Sequence, residues 1–182
     1  NLLEKKEDDY DRYPLEVNFC STCFNSQLSV AVPSKKMFDN YLYLSSTTDT
    51  FKLHFEELAK KLKMELNLTK QSLVVDIGSN DGIFLKPLLD YGIEALGVEP
   101  AKNVAKIANK NGVKTINRYF DEKCIKKIST EYGKADVVTA FNVFAHADNL
   151  KGILNNVSKL LKKDGIFVFE VQYLLRTLSD LT

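Results

Sequence analysis

The sequence predicts an α/β fold, a parallel sheet with helices on both faces. Three observations predict it. From residue 72 onward, apolar runs of strand length alternate with amphipathic helical patterns. The first of these runs, residues 73–77, is apolar throughout except for Asp76, as expected of a strand buried on both faces. Glycine and proline stand at the seams, with Gly92 and Gly133 closing helical stretches and Pro100 opening one. Repeated strand–helix units of this length favour parallel pairing with right-handed crossovers.

The elements follow in order. Residues 1–35 are irregular, with Tyr13-Pro14, the pair Cys20-Ser21-Thr22-Cys23 and Val32-Pro33, and read as a small lobe of short strands and turns. An aromatic, hydroxyl-rich stretch runs from Phe38 to Thr48. Phe51, Phe55, Leu58, Leu62 and Leu66 then recur at helical spacing, with Thr48 or Asp49 as the cap. Strands are predicted over 73–77, 95–98, 113–116, 135–140 and 166–171, with helices over 84–91, from Pro100, over 122–132 and over 150–161. A helix-like segment, 171–181, ends the chain. The domain division is 1–36 for the first lobe, 37–70 for an aromatic linker and helix, and 71–182 for the core.

Composition narrows the function. Hydrophobic residues make up 45% and charged residues 27% of 182, which is globular rather than disordered. A net charge of +1, carried mostly by lysine, offers no field for nucleic acid or an anionic membrane. No apolar run approaches the roughly 20 residues of a membrane helix, and no basic-then-apolar leader is present. Three cysteines in such a chain point to a reducing compartment, the cytoplasm, rather than to disulfides.

The chemistry gathers where open parallel sheets bind ligands, beyond the carboxyl ends of the strands. The first core strand runs into Asp76-Ile77-Gly78-Ser79-Asn80-Asp81-Gly82. Gly78 permits a sharp turn and close ligand approach, and Gly82 permits tight packing. Glu99 closes the second strand, followed by Pro100, and lies 21 residues after Gly78. At that distance a carboxylate meets a ribose diol. A pyrophosphate wants bare N–H groups at this turn. Asp81 opposes one and suits the sulfonium and ammonium of S-adenosylmethionine. The turn also departs from G-x-G-x-x-G. Asp81 equally reads as a helix cap. Phe120, past the third strand, is divided between stacking on adenine and core packing.

Over nearly its whole length the chain resembles the S-adenosylmethionine-dependent C-methyltransferases of nucleotide-linked 4-keto-deoxysugars. The resemblance is carried by Tyr13-Pro14-Leu15, Cys20-x-x-Cys23, Gln27-Leu28, Phe38-x-x-Tyr41-x-Tyr43-x-Ser45-Ser46-Thr47, the turn from Asp76 to Gly82, Gly97-Val98-Glu99-Pro100-Ala101-x-Asn103-Val104-Ala105 and Phe141-Asn142-Val143-Phe144-Ala145-His146. It implies a Rossmann-like methyltransferase sheet preceded by a zinc-binding lobe and followed by a C-terminal domain that helps hold the sugar nucleotide. The family's zinc has four cysteines; only Cys20 and Cys23 are here, so zinc is implied for the full-length protein. With Asn1 first and a helix-like segment running up to Thr182, a longer protein is expected. The last two strands of a seven-stranded sheet and a later His-rich motif would then follow it.

Methylation at carbon needs a carbanion-like nucleophile, formed when a base removes a proton beside a ketone and the enolate oxygen is stabilised. The resemblance gives His146 the role of general acid/base or enolate stabiliser, places Tyr41 and Tyr43 over the site, and sets Asn142 against cofactor or sugar. His54, mid-helix among Phe51, Phe55 and Leu58, reads as structural. The competing functions are O- or N-methylation of another small molecule and a noncatalytic cofactor-binding fragment. A nicotinamide oxidoreductase ranks behind them because of Asp81.

Overall fold

The computed structural model describes residues 11–180. The parts of the first lobe before residue 11 and of the last helix after residue 180 lie outside the described residues. A short antiparallel hairpin comes first, β1 (Val17–Phe19) and β2 (Ser26–Leu28), with Val17 opposite Leu28. A short helix, α1 (Ser34–Phe38), and a single 3₁₀ turn (Ser45–Thr47) lead into α2 (Asp49–Glu65). Neither α1 nor the 3₁₀ turn was legible, because each is too short to show a period.

The core alternates as predicted. It comprises β3 (Leu73–Ile77), α3 (Leu85–Asp90), β4 (Glu94–Val98), α4 (Lys102–Lys110), β5 (Thr115–Ile116), α5 (Glu122–Glu131), β6 (Ala135–Phe141), α6 (Leu150–Leu160), β7 (Leu161–Glu170) and α7 (Leu174–Asp180). The five strands pair parallel in the order β5-β4-β3-β6-β7. The chain builds outward from β3 and then returns to its other side, so the strand order reverses between β3 and β6. That reversal opens a crevice at the carboxyl edge.

Alternation along β3 divides the core. Leu73, Val75 and Ile77 join Ile128 of α5 and Leu160 of α6 on one face. Val74 joins Phe55 and Leu62 of α2 and Leu85 and Leu88 of α3 on the other. Each such large side chain, fully buried, stabilises the fold by about 1.5–3 kcal/mol.

Some boundaries differ from expectation. Pro100 does not open α4. The helix begins at Lys102 with Ala101 as its N-cap, because Asn117 Nδ2 draws the carbonyls of Glu99 and Pro100 at 2.9 and 2.7 Å into a turn. β5 keeps only two residues, since Val113 packs inward beneath Gly82 instead of extending the strand. Neither Thr48 nor Asp49 caps α2 through its side chain. β7 begins at Leu161 and shifts register between Ala135 and Val137, so Asp164-Gly165 forms an irregularity within the strand rather than a turn before it.

Candidate active site

The turn leaving β3 is held by backbone geometry that its residues alone permit. Gly78, Asn80 and Gly82 adopt φ of 67°, 50° and 85°. A Cβ on Gly78 would stand 2.6 Å from Val143 Cγ2, so only glycine lets the segment after β6 close against this turn. Asn80 tolerates the left-handed region because its own side chain bonds locally, with Oδ1 accepting from the Asp81 N–H at 2.9 Å.

Glu99 braces the same turn. Its Oε2 accepts the Asn80 N–H at 2.9 Å and its Oε1 the Ala101 N–H at 2.8 Å. It is 6% exposed, and burial pushes its pKa up against the pull of those two donors. A carboxylate oxygen accepts more than one hydrogen bond, so each keeps a place for a diol hydroxyl. The sequence anticipated a ligand contact; the structure adds that the carboxylate joins the ends of β3 and β4.

Asp76 lies deeper. It is 3% exposed, accepts from Thr139 Oγ1 at 2.6 Å, and has its pKa raised by burial to about 7. Ser79 Oγ and Asp81 Oδ1 are buried and find no partner among the described residues. An unpaired buried acceptor costs about 1–3 kcal/mol. The donor set therefore fits S-adenosylmethionine, whose ammonium and hydroxyls are the donors these acceptors lack. The Asp81 carboxylate also lines a hollow of about 460 Å³ together with Ser46 and Lys52. A larger hollow of about 620 Å³ lies at the amino edge of the sheet beside Asp136 and Lys162, away from the ligand-binding edge.

The aromatic stretch lies across this turn as a strap. Ser45 and Ser46 donate their backbone N–H groups to Asn80 Oδ1 at 3.0 Å and Asp81 Oδ2 at 3.2 Å. Asn80 Nδ2 reaches the Tyr43 carbonyl at 3.2 Å. Asn103 of α4 pairs with Tyr41 like a second backbone, accepting its N–H at 3.2 Å and donating to its carbonyl at 2.7 Å. Tyr119 donates to Asp39 Oδ1 at 2.8 Å. Burial raises the Tyr41 phenol, and nearby Tyr43 and Glu99 raise it further. Sequence reasoning missed Asp39, Asn103, Tyr119 and Thr139 as parts of this assembly. Asn103 stood in a quoted motif, but nothing local told that its partner lies 62 residues away.

His146 is exposed in a 3₁₀ turn (Phe144–His146). Its ring lies 6.2 Å from Phe38, which lies 5.9 Å from Tyr41, which lies 6.4 Å from Tyr43. The three expected catalytic residues thus share one row of rings. Phe120 is packed in the core with Ile125 and Ile128. Asn142 takes φ 57° and turns to Glu170, its Nδ2 3.3 Å from Oε1. His54, read as structural, is exposed and its Nε2 lies 2.9 Å from Glu170 Oε2, the buried face of α2 being that of Phe55, Ala59 and Leu62. Cys20 and Cys23 are exposed free thiols in the β1–β2 turn, where the N–H groups of Cys23 and Thr22 hold the Cys20 thiol below its ordinary pKa. Two thiolates are half a tetrahedral zinc set, and no group of three or more ligands occurs among the described residues.

Comparison with known proteins agrees with this geometry. A family model described as a methyltransferase domain matches residues 36–180. The chain is 34% identical over 182 residues to the C-methyltransferase NovU of Streptomyces niveus, covering 99% of this chain and 43% of that protein. It is 25% identical over 103 residues to a ubiquinone biosynthesis O-methyltransferase of Glaesserella parasuis, covering 51% of this chain and 42% of the relative. The chain thus spans less than half the length of these relatives. The PH0226 protein of Pyrococcus horikoshii superposes with a TM-score of 0.58 at 24% identity, over 76% of this chain and 62% of that one, and shows the shared fold. The chain belongs to the methyltransferase-domain family.

Proposed function

We propose that the protein methylates a carbon beside the ketone of a nucleotide-linked keto-deoxysugar. The row of His146, Phe38, Tyr41 and Tyr43 carries this reading. It sets a proton-transferring imidazole and two phenols beside the turn that receives the cofactor. The 34% identity to a C-methyltransferase over 99% of the chain supports it.

When bound, S-adenosylmethionine supplies an electrophilic methyl group. Glu99 orients the cofactor's diol, and Asp81 meets its ammonium. The strap keeps water from the reacting carbon and sets Tyr41 and Tyr43 against the sugar. His146 donates a hydrogen bond to the enolate oxygen or takes part in proton transfer, work for which an imidazole has both a donor and an acceptor nitrogen. Cys20 and Cys23 belong to a zinc lobe completed upstream. A further C-terminal domain holds the nucleotide.

O-methylation of a small molecule is the second reading, favoured by the likeness to the ubiquinone biosynthesis O-methyltransferase. One experiment separates them. The full-length protein is incubated in D₂O with S-adenosylhomocysteine and a nucleotide-linked 4-keto sugar. Deuterium entering the position beside the ketone, seen by NMR, supports the first. No exchange, together with a methyl ether formed when S-adenosylmethionine is supplied, supports the second.

A further inference from the structure

Between Ser34 and Thr47 no side chain is buried. The helices beside this stretch differ, since α2 is anchored by Phe55, Ala59 and Leu62 and α4 by Val104, Ala105 and Ala108. The strap is tied by hydrogen bonds, and they span the carboxyl edge from β3 to β5. Asn80 and Asp81 hold the N–H groups of Ser45 and Ser46 at the β3 end. Asn103 holds both backbone groups of Tyr41 at the start of α4. Just past β5, Tyr119 donates to Asp39 Oδ1 at 2.8 Å, and the Asp39 carbonyl accepts the Lys102 N–H at 3.4 Å.

The carboxylates that face the cofactor lie shut in beside these ties. Asp76, Asp81 and Glu99 are all buried. Asn80 links the strap to Glu99 directly. Its N–H donates to Glu99 Oε2, while its side chain accepts from Ser45 and donates to the Tyr43 carbonyl. Burial raises the phenols of Tyr41 and Tyr119, and the charge of nearby Glu99 adds to both. A ribose diol reaches Glu99 where a neighbour gives way. β3 and β4 lie within the sheet, and α4 is packed in the core. The strap is the neighbour whose release uncovers no core side chain, and segments held in that way open at the least cost.

We propose that the strap is the gate of the cofactor site, opening to admit S-adenosylmethionine and to release S-adenosylhomocysteine, with the Tyr119–Asp39 hydrogen bond as its latch at the adenosine end. With the ribose at Glu99, the base extends toward β5, the strand beside β4, and so toward Tyr119. The latch is separate from the carboxylates that face the cofactor, and it can be broken without altering Glu99, Asp76 or Asp81. It is closed both before and after binding, so it slows entry and exit alike and leaves the affinity as it is. The inference holds whether the methyl group goes to carbon or to oxygen.

The test needs no methyl acceptor. Association and dissociation rates of S-adenosylhomocysteine are measured by surface plasmon resonance on the immobilised full-length protein. Tyr119→Phe should raise both rates about fivefold, the change in open population that one ordinary hydrogen bond makes, with Kd within about twofold of wild type. Asp39→Ala breaks the same bond from the strap and should do the same. The double variant should be no faster than either alone. Amide exchange over residues 40–47 of the free protein should quicken by the same factor. Rates that stay at wild type in both variants overturn the proposal, above all if the strap's amides exchange faster. A rise in dissociation alone also overturns it, because the hydroxyl would then serve the bound complex and gate nothing.

Discussion

The Glu99 carboxylate accepts the Asn80 N–H at 2.9 Å, so the residue that closes β4 holds in place the turn that leaves β3. The same side chain has two tasks, bracing a left-handed turn and facing the cofactor's sugar. Glu99→Gln separates them badly, because its amide nitrogen must confront a backbone donor. A loss of about 1–3 kcal/mol in stability is expected. S-adenosylhomocysteine should bind about tenfold more weakly, since hydrogen bonds to a charged acceptor are the stronger ones. Chemical denaturation and calorimetry measure the two effects. Unchanged values for both would remove Glu99 from the site.

Gly78→Ala combines a disfavoured φ of 67° with a Cβ 2.6 Å from Val143 Cγ2. The expected cost is roughly 2–4 kcal/mol. Val143→Ala relieves the contact but not the backbone strain. The double variant should therefore be about 1 kcal/mol more stable than the two single changes add up to. Strict additivity in urea unfolding would mean that Val143 does not press on Gly78.

Asp76 gives the cofactor-free protein a pH dependence of definite sign. Burial raises its folded pKa to about 7 from an ordinary 3.8. Between those values the folded chain keeps a proton that the unfolded chain releases. The stabilisation is complete below about pH 4 and is lost as the pH rises to about 7, on the order of 4 kcal/mol in all. Asp76→Asn has no such proton. The difference in Tm, variant minus wild type, should climb from pH 5 to about pH 7 and then level off. A difference that stays level with pH would contradict the burial of a titrating carboxyl at this position.

Asn103 secures the strap through both backbone groups of Tyr41. Asn103→Ala removes two hydrogen bonds of about 1 kcal/mol each. Amide exchange over residues 40–47 should quicken about tenfold or more, while β3 and β4 exchange as before. Equal protection in the variant would show that Asn80 and Asp81 suffice to hold the strap.

Much of the fold was legible because its causes are local. The apolar runs that became β3, β4 and β6 are buried on both faces, and such strands need no partner to be recognised. The turn from Gly78 to Gly82 was legible for the same reason, since its glycines meet backbone demands within a few residues. The resemblance placed Tyr41 and Tyr43 over the site, but the hydrogen bonds that seat the strap were not legible, because they join residues 35 and 62 positions apart. His54 was read as structural, but helical spacing places residues on a face only approximately and does not name its partner. One position from Phe55, the side chain turns out to face solvent and Glu170.

By itself, then, the amino-acid sequence determined the strand–helix alternation, the left-handed cofactor turn and the acidic residues flanking it. These follow from propensities and periods that act over a few residues. Tertiary structure alone decided the strand order, the closure of Val143 on Gly78, the seating of Tyr41 by Asn103 and the meeting of His54 with Glu170. The last of these joins side chains 116 positions apart. Only burial of the two apolar faces of the sheet brings such distant residues to one edge, and no local pattern encodes which of them will touch.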